Sequence, residues 1–235
     1  MKNVSFAFVL AFLIFSATAF SQTVPPKDDF QFWNETTVSF PLVRAKDKKG
    51  KDFDRLTVYL YGVLRFSVDD SGASDKRIGA GFAYRFNRHV SFAPEFLYRS
   101  NHPYRTVNQS ENRIRFALTL ENRWQRVALF DRNLVEYRIR HSRKNSTRYR
   151  NRLRFEFPVK NEGKEIFAPF VSNEPFYDFL EKKLTRNELF VGINKKFSDK
   201  FSADFFYLFI KDRSFPKTIN GIGVNLRFKS NRLLR

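Results

Sequence analysis

The chain has 235 residues, and 43 Lys+Arg against 24 Asp+Glu give a formal charge of +19. A mean hydropathy of -0.48 excludes a bundle of transmembrane helices, which needs several long apolar runs. Without Cys there is no disulfide scaffold, thiolate zinc site or thiol nucleophile, and with 30 Phe, 9 Tyr and 2 Trp the chain is no disordered basic tail.

Residues 1–21 read as a signal peptide: Lys2 is the positive end, Val4–Phe15 the apolar core, and Ala19 and Ser21 suit cleavage after Ser21. Cleavage after Ala19 also fits, and a retained helical anchor is the alternative. The apolar core falls short of the roughly 20 residues a helical span needs. Cleavage removes one charged residue, Lys2, and leaves +18. Residues 22–29 then form a short extended linker.

From there side-chain character alternates with period two, the mark of strands with two unlike faces. Eleven stretches carry it: about 30–42, 54–68, 76–87, 89–100, 110–123, 126–142, 147–159, 165–173, 184–197, 200–213 and 218–229. Ile78, Ala80, Phe82, Tyr84 and Phe86 share one face against Arg77, Gly79, Gly81, Ala83 and Arg85. Residues 176–183 admit a turn or two of helix. Connections near 87–88, 123–125 and 198–199 are tight, whereas 69–75, 101–109, 174–183 and 213–217 are longer and polar. Long strands with short turns at one end and longer loops at the other predict an all-β, up-and-down antiparallel transmembrane barrel over 30–229. Such barrels close with an even strand number, so ten to twelve strands are expected, with twelve preferred.

Two environments produce this alternation: a soluble barrel with its apolar face inward, or a membrane barrel with its apolar face on lipid. Glycines at 79, 81, 192, 221 and 223 on the polar face favour the second, as a crowded lumen holding long Arg side chains would need them. Aromatics near strand ends, Trp33, Phe86, Trp124, Phe157 and Phe197 among them, read as interfacial girdles.

On the inferred lumen face stands an arginine ladder: Arg113, Arg115, Arg138, Arg140, Arg148, Arg150, Arg152 and Arg154. Glu121, Glu136 and Glu156 accompany it, with Glu35, Glu95, Glu188 and Asp204 as further counter-charges. Like charges on adjacent strands are destabilising, so the ladder is either a hydrated Arg–Glu filling or a lumen that attracts anions. Near the C-terminus Gly223, Leu226 and Phe228 match the terminal-strand signal of outer-membrane proteins, followed by the polar tail 230–235. The basic residues alternate along strands of an exported chain, so nucleic acid is not the expected partner. His141 and Ser142 are adjacent and point to opposite faces, which disqualifies them as a catalytic pair. His89 falls at a tight turn, and His102 falls in a long loop near Ser100. No cofactor or metal site is expected.

The segments 30–40 (FQFWNETTVSF), 77–99, 134–158, 173–179 and 186–209 resemble a bacterial outer-membrane barrel family of Bacteroidota and Proteobacteria. That family is known only as a domain of unknown function. Its most recognisable element is the Glu136-Tyr137-Arg138 hairpin with its Arg-rich return strand. The resemblance implies a barrel in the outer membrane and brings no activity. The expected partners are membrane lipid, lipopolysaccharide and the barrel-assembly machinery, met by a monomer with a basic lumen. Passive passage of small anions and an envelope-structural role are the expected functions. A secreted soluble barrel binding an anion or lipid, and a barrel enzyme acting on envelope lipids, are the alternatives.

Overall fold

The computed structural model describes residues 28–68, 73–104, 107–213 and 216–231. The predicted signal peptide, the linker up to residue 27 and the tail beyond residue 231 lie outside the described residues. Twelve strands account for the regular structure: β1 (Asp28–Lys46), β2 (Asp52–Ser67), β3 (Ala73–Arg85), β4 (Val90–Tyr104), β5 (Val107–Arg123), β6 (Ala128–Arg140), β7 (Ser146–Glu156), β8 (Val159–Asn161), β9 (Lys164–Asp178), β10 (Lys183–Lys196), β11 (Phe201–Asp212) and β12 (Thr218–Lys229). β1–β7 pair in sequence, β7 pairs with β9, β9–β12 continue, and β12 returns to β1, closing a barrel.

β8 stands outside the closed wall and pairs only with the base of β9. Pro158 separates it from β7, and proline has no N–H for the ladder. β7 and β8 are therefore one rod broken at a proline. The expected range of strands holds, with β8 as the twelfth, but the wall itself has eleven. The even-number expectation fails there, for a geometric reason. An up-and-down wall with an odd count must bring its first and last strands together in the same direction. β1 and β12 do pair in parallel, from Asp28↔Thr218 to Ser39↔Lys229. At this seam a Cβ on Gly221 would lie 2.1 Å from the Gln31 carbonyl oxygen, so no side chain fits.

The wall has inverted polarity. Ile78 is 66% exposed, and Leu60, Phe82, Phe116, Val191 and Ile222 share its outward orientation around the barrel. Arg113, Arg150, Glu136, Glu174 and Asp204 are buried inside. A continuous apolar belt of this size would be a large exposed patch in water and is native to a lipid-facing surface. On β6 and β7 the belt is broken by an outward polar group. The Tyr149 hydroxyl donates to Asn133 Oδ1, and Asn151 Nδ2 donates to Asn133 (3.1 Å) and Asp131. Satisfying these groups within the sheet lowers the cost of placing them in an apolar medium.

Aromatic pairs mark both ends of the wall. Phe197, Phe201 and Phe228 stack at centroid spacings of 5.1 and 4.8 Å at one end, and Tyr177–Phe179 pack edge-on at 5.2 Å at the other. Trp33 is a correction. It faces the lumen, 6% exposed, in a cluster with Phe170, Phe190 and Phe206. Its phase on β1 matches Gln31, which is also buried, and proximity to a strand end does not reveal phase. The lumen glycines also serve differently from the expectation: the Tyr61 ring, not an arginine, lies over Gly79, 2.3 Å from where a Cβ would stand.

The segment read as a loop or short helix after residue 173 is strand. β9 runs on to Asp178 and turns at 179–182, with Lys182 at φ 51. β4 likewise continues through His102. Lys46, Lys48, Lys49 and Lys51 are exposed at the β1–β2 turn. Within that turn the Lys51 and Lys49 amides donate to Asp47 Oδ1 at 2.9 and 2.8 Å and hold its carboxyl below the usual range.

Eleven wall strands place the start of β1 and the end of β12 at opposite ends of the barrel. An epitope inserted just ahead of Asp28 and another after Lys229 should therefore report from opposite sides of the membrane. Antibody labelling of intact and permeabilised cells checks this, and two epitopes on the same side would overturn the odd closure.

Candidate functional site: the arginine-filled lumen

Period two sends every second residue of a strand inward, so inward arginines on neighbouring strands come to stand opposite one another. Arg77 is register partner to Arg99, Arg113 to Arg138, and Arg132 to Arg152. Directly opposed like charges repel. Each of these three pairs is bridged by a single carboxylate. Asp75 takes Arg77 at 2.6 Å and Arg99 at 2.8 Å. Glu111 takes Arg113 and, at 2.9 Å, Arg138. Glu174 takes Arg132 at 3.0 Å and Arg152 through Nε at 2.6 Å. Two guanidinium forks fit one carboxylate because each fork presents a planar pair of N–H donors.

Glu136 is the hub between these bridges. It is 0% exposed and lies within 4 Å of Arg113, Arg115, Arg148 and Arg150, at 3.2, 3.9, 3.7 and 3.6 Å. Arg115 also reaches Glu95 at 2.9 Å and donates to the Tyr61 hydroxyl at 2.9 Å. Arg148 and Arg138 both approach Asp178 at 3.7 Å. Arg150 donates to Glu174 at 2.9 Å. Arg154 binds Glu156 at 2.9 Å and Asp204 at 2.8 Å, and Asp204 holds Arg227 as well.

Aromatic rings occupy the faces of several guanidinium planes. Arg65 lies 3.3 Å from the Trp33 ring centroid, Arg154 3.7 Å from Phe170, Arg150 4.2 Å from Phe176 and Arg152 5.4 Å from Phe190. A cavity of about 70 Å³ lies within this packing, lined by seven arginines and two glutamates together with neutral residues. Every ladder arginine except Arg140 therefore joins the network.

Arg140 stands at the rim with no ion pair among the described residues, its amide donating to Asn145 Oδ1 at 3.0 Å. Glu121 is the second correction. It pairs with Arg85 of β3 at 2.9 Å and touches no ladder arginine, because it sits one strand-end away from them. Gly223 faces inward beneath the Phe206 ring, while Leu226 points outward and Phe228 stacks on Phe201.

Asp75, Glu111, Arg132, Glu174 and Asp178 went unrecognised in the sequence. Glu174 and Asp178 continue the phase of Ala168, Phe170 and Ser172, so extending that period was the available signal. Pro175 masked it by reading as a strand breaker.

His141 Nδ1 lies 3.2 Å from the Ser110 hydroxyl, a contact between strands that the adjacent Ser142 had obscured. The same nitrogen lies 3.2 Å from Ser110's own carbonyl oxygen, so its proton is held there and the pair is a cross-strand contact. His89 Nδ1 meets the Glu121 carbonyl oxygen at 3.0 Å.

Breaking a buried ion pair from one side costs about 3–5 kcal/mol, whereas exposed pairs contribute roughly 0–1. Glu111→Gln, which leaves Arg113 facing Arg138, is expected to lower stability by an amount in the first range. Glu121→Gln, whose partner Arg85 is 36% exposed, should fall in the second. Urea unfolding in lipid, read by heat-modifiable gel mobility, separates the two.

Comparison with known proteins follows the fold. The β domain of the Bordetella autotransporter BrkA is similar at 13% identity and TM-score 0.43, over 83% of this chain and 95% of that one. The siderophore receptor PirA from Pseudomonas aeruginosa shares 14% identity at TM-score 0.26 over 78% of this chain, which spans 34% of the receptor. No curated protein matches. A family profile described as protein of unknown function DUF2490 matches residues 30–218, from β1 to the first residue of β12. That span takes in the Asp75, Glu111 and Glu174 bridges of the lumen, and the chain belongs to the DUF2490 family.

Proposed function

We propose that this protein is an outer-membrane barrel that is shut at rest, an envelope component whose lumen is a packed ionic lattice and not a standing pore. One observation carries this reading. Glu136, Glu174 and Asp204 face the lumen yet are 0% exposed. In an open channel the inward carboxylates would meet water. Here arginines, aromatic rings and neighbouring strands cover them, and a cavity of about 70 Å³ lies among the packed side chains.

The outward apolar belt supports residence in the outer membrane over a secreted soluble barrel, whose surface would need to be polar. Export through a cleaved signal peptide, assembly by way of the β12 strand with Leu226 and Phe228 outward, and residence as a monomer among lipid and lipopolysaccharide complete the proposal. Static passive diffusion of anions, the other expectation for a basic lumen, requires width that the lattice occupies.

Planar-bilayer recording tests the proposal. The wild-type barrel should give no steady conductance. Arg152→Ala with Phe190→Ala, which removes one stacked pair from the cavity wall, should introduce openings that favour anions. Steady wild-type openings, or cation-selective openings in the variant, would overturn it. Full extraction into buffer without detergent would overturn the membrane assignment.

A further inference from the structure

The charge within the lumen is unevenly compensated. Glu174 offers both carboxylate oxygens, and three guanidiniums share them: Arg132 and Arg150 on Oε1, and Arg152 on Oε2. Arg150 also approaches Glu136 at 3.6 Å, whereas Arg132 and Arg152 share Glu174 as their one carboxylate among the described residues. Arg132 and Arg152 are the least enclosed of the three, with side chains 28% and 29% exposed toward the cavity they line.

A second observation lies on the same cavity. Ser172 lines it, is 3% exposed, and its hydroxyl has no hydrogen-bond partner among the described residues. The Nε of Arg132 is likewise buried and unpartnered. Buried donors of this kind are uncommon, because each forgoes its bond to water without replacement. β9 alternation places Ser172 inward between Phe170 and Glu174, and its register partner on β7 is Arg154. The unpartnered hydroxyl therefore stands next to the guanidinium cluster and not in an apolar corner.

From these two features we infer that the lumen holds a site for one small tetrahedral oxyanion of the phosphate or sulfate class, bound by Arg132, Arg152 and the Ser172 hydroxyl. An anion here would meet two guanidiniums, Arg132 and Arg152, that share one carboxylate. A cavity of about 70 Å³ holds roughly five water-sized bodies at 10–15 Å³ each, the heavy-atom count of such an ion. Four oxygens at the vertices of a tetrahedron let Arg132, Arg152 and the Ser172 hydroxyl each take a different oxygen, where a carboxylate has only two to share. Glu35 also lines the cavity, exposed and without an ion pair among the described residues, and it opposes the anion. The site depends on the sharing of Glu174 and on the Ser172 hydroxyl, and its existence does not depend on whether the barrel conducts.

Isothermal titration of the full chain, purified in a non-ionic detergent free of lipid, tests the inference with inorganic phosphate, sulfate and acetate. Phosphate and sulfate should bind saturably, with one ion per barrel, and acetate should bind at least tenfold more weakly. Ser172→Ala removes a group that touches no partner, so the fold is retained, and phosphate affinity should fall about tenfold. Arg132→Gln should weaken it by a similar or larger factor, while Glu35→Gln should tighten it. No saturable phosphate binding would overturn the site, as would equal binding of acetate or wild-type affinity in Ser172→Ala. Saturable binding of phosphatidylglycerol that excludes phosphate from the barrel would mark a lipid headgroup site and also overturn it.

Discussion

The constraint on which this barrel depends is that like charges must stand opposite each other inside a wall too narrow to separate them. Arg113 faces Arg138 and Arg132 faces Arg152 because both members of each pair are inward at the same level of adjacent strands. A carboxylate between the two forks converts repulsion into a three-body attraction. Glu111 comes from two residues before Arg113 on the same strand, and Glu174 comes from β9, across β7. In a medium of low dielectric such bridges are strong, and equally costly to leave half made. Their net contribution to stability is small once desolvation is counted, so their main effect is on register. A one-residue slip of any ladder strand would turn its arginines into lipid.

The same arrangement explains why arginine and not lysine fills the lumen. A compact ammonium would serve one carboxylate as a point charge, whereas the guanidinium plane serves carboxylates at its edge and an aromatic ring on its face. Arg150 does both, with Glu174 at its edge and Phe176 against its face. The inward aromatics are therefore part of the ionic lattice. They exclude water from the guanidinium faces and close the barrel without adding charge.

Alternation along the strands was enough to read the barrel, its two faces and most of the arginine ladder from the residues. Each strand reports its own phase, and that information is local. What escaped reading was relational. Glu121 and Glu136 lie on the same kind of strand face, yet only Glu136 reaches the ladder, because strand register decides which level a residue shares with its neighbours. Wall parity escaped for a different cause: the eleven stretches read from alternation match the wall, but the even-number rule argued against that count, and only the parallel β1–β12 pairing shows that eleven strands close. Glu174 escaped because Pro175 reads as a terminator. In a barrel that proline sits at an outward position opposite Asn187, and the strand continues past it.

Sharing also fixes where the lattice is incomplete. Around Glu136 the positive charges are balanced by Glu95, Glu111 and Asp178 nearby, so the hub is dense and dry. Glu174's register partner Glu188 is engaged by Arg186 at 2.7 Å. Glu188 lines the same cavity as Arg132, Arg150 and Arg152, so the over-sharing of Glu174 and the residual volume meet at one level of the barrel. A lumen packed with its own salt bridges has in this way a sector where an anion would add to the lattice instead of breaking it.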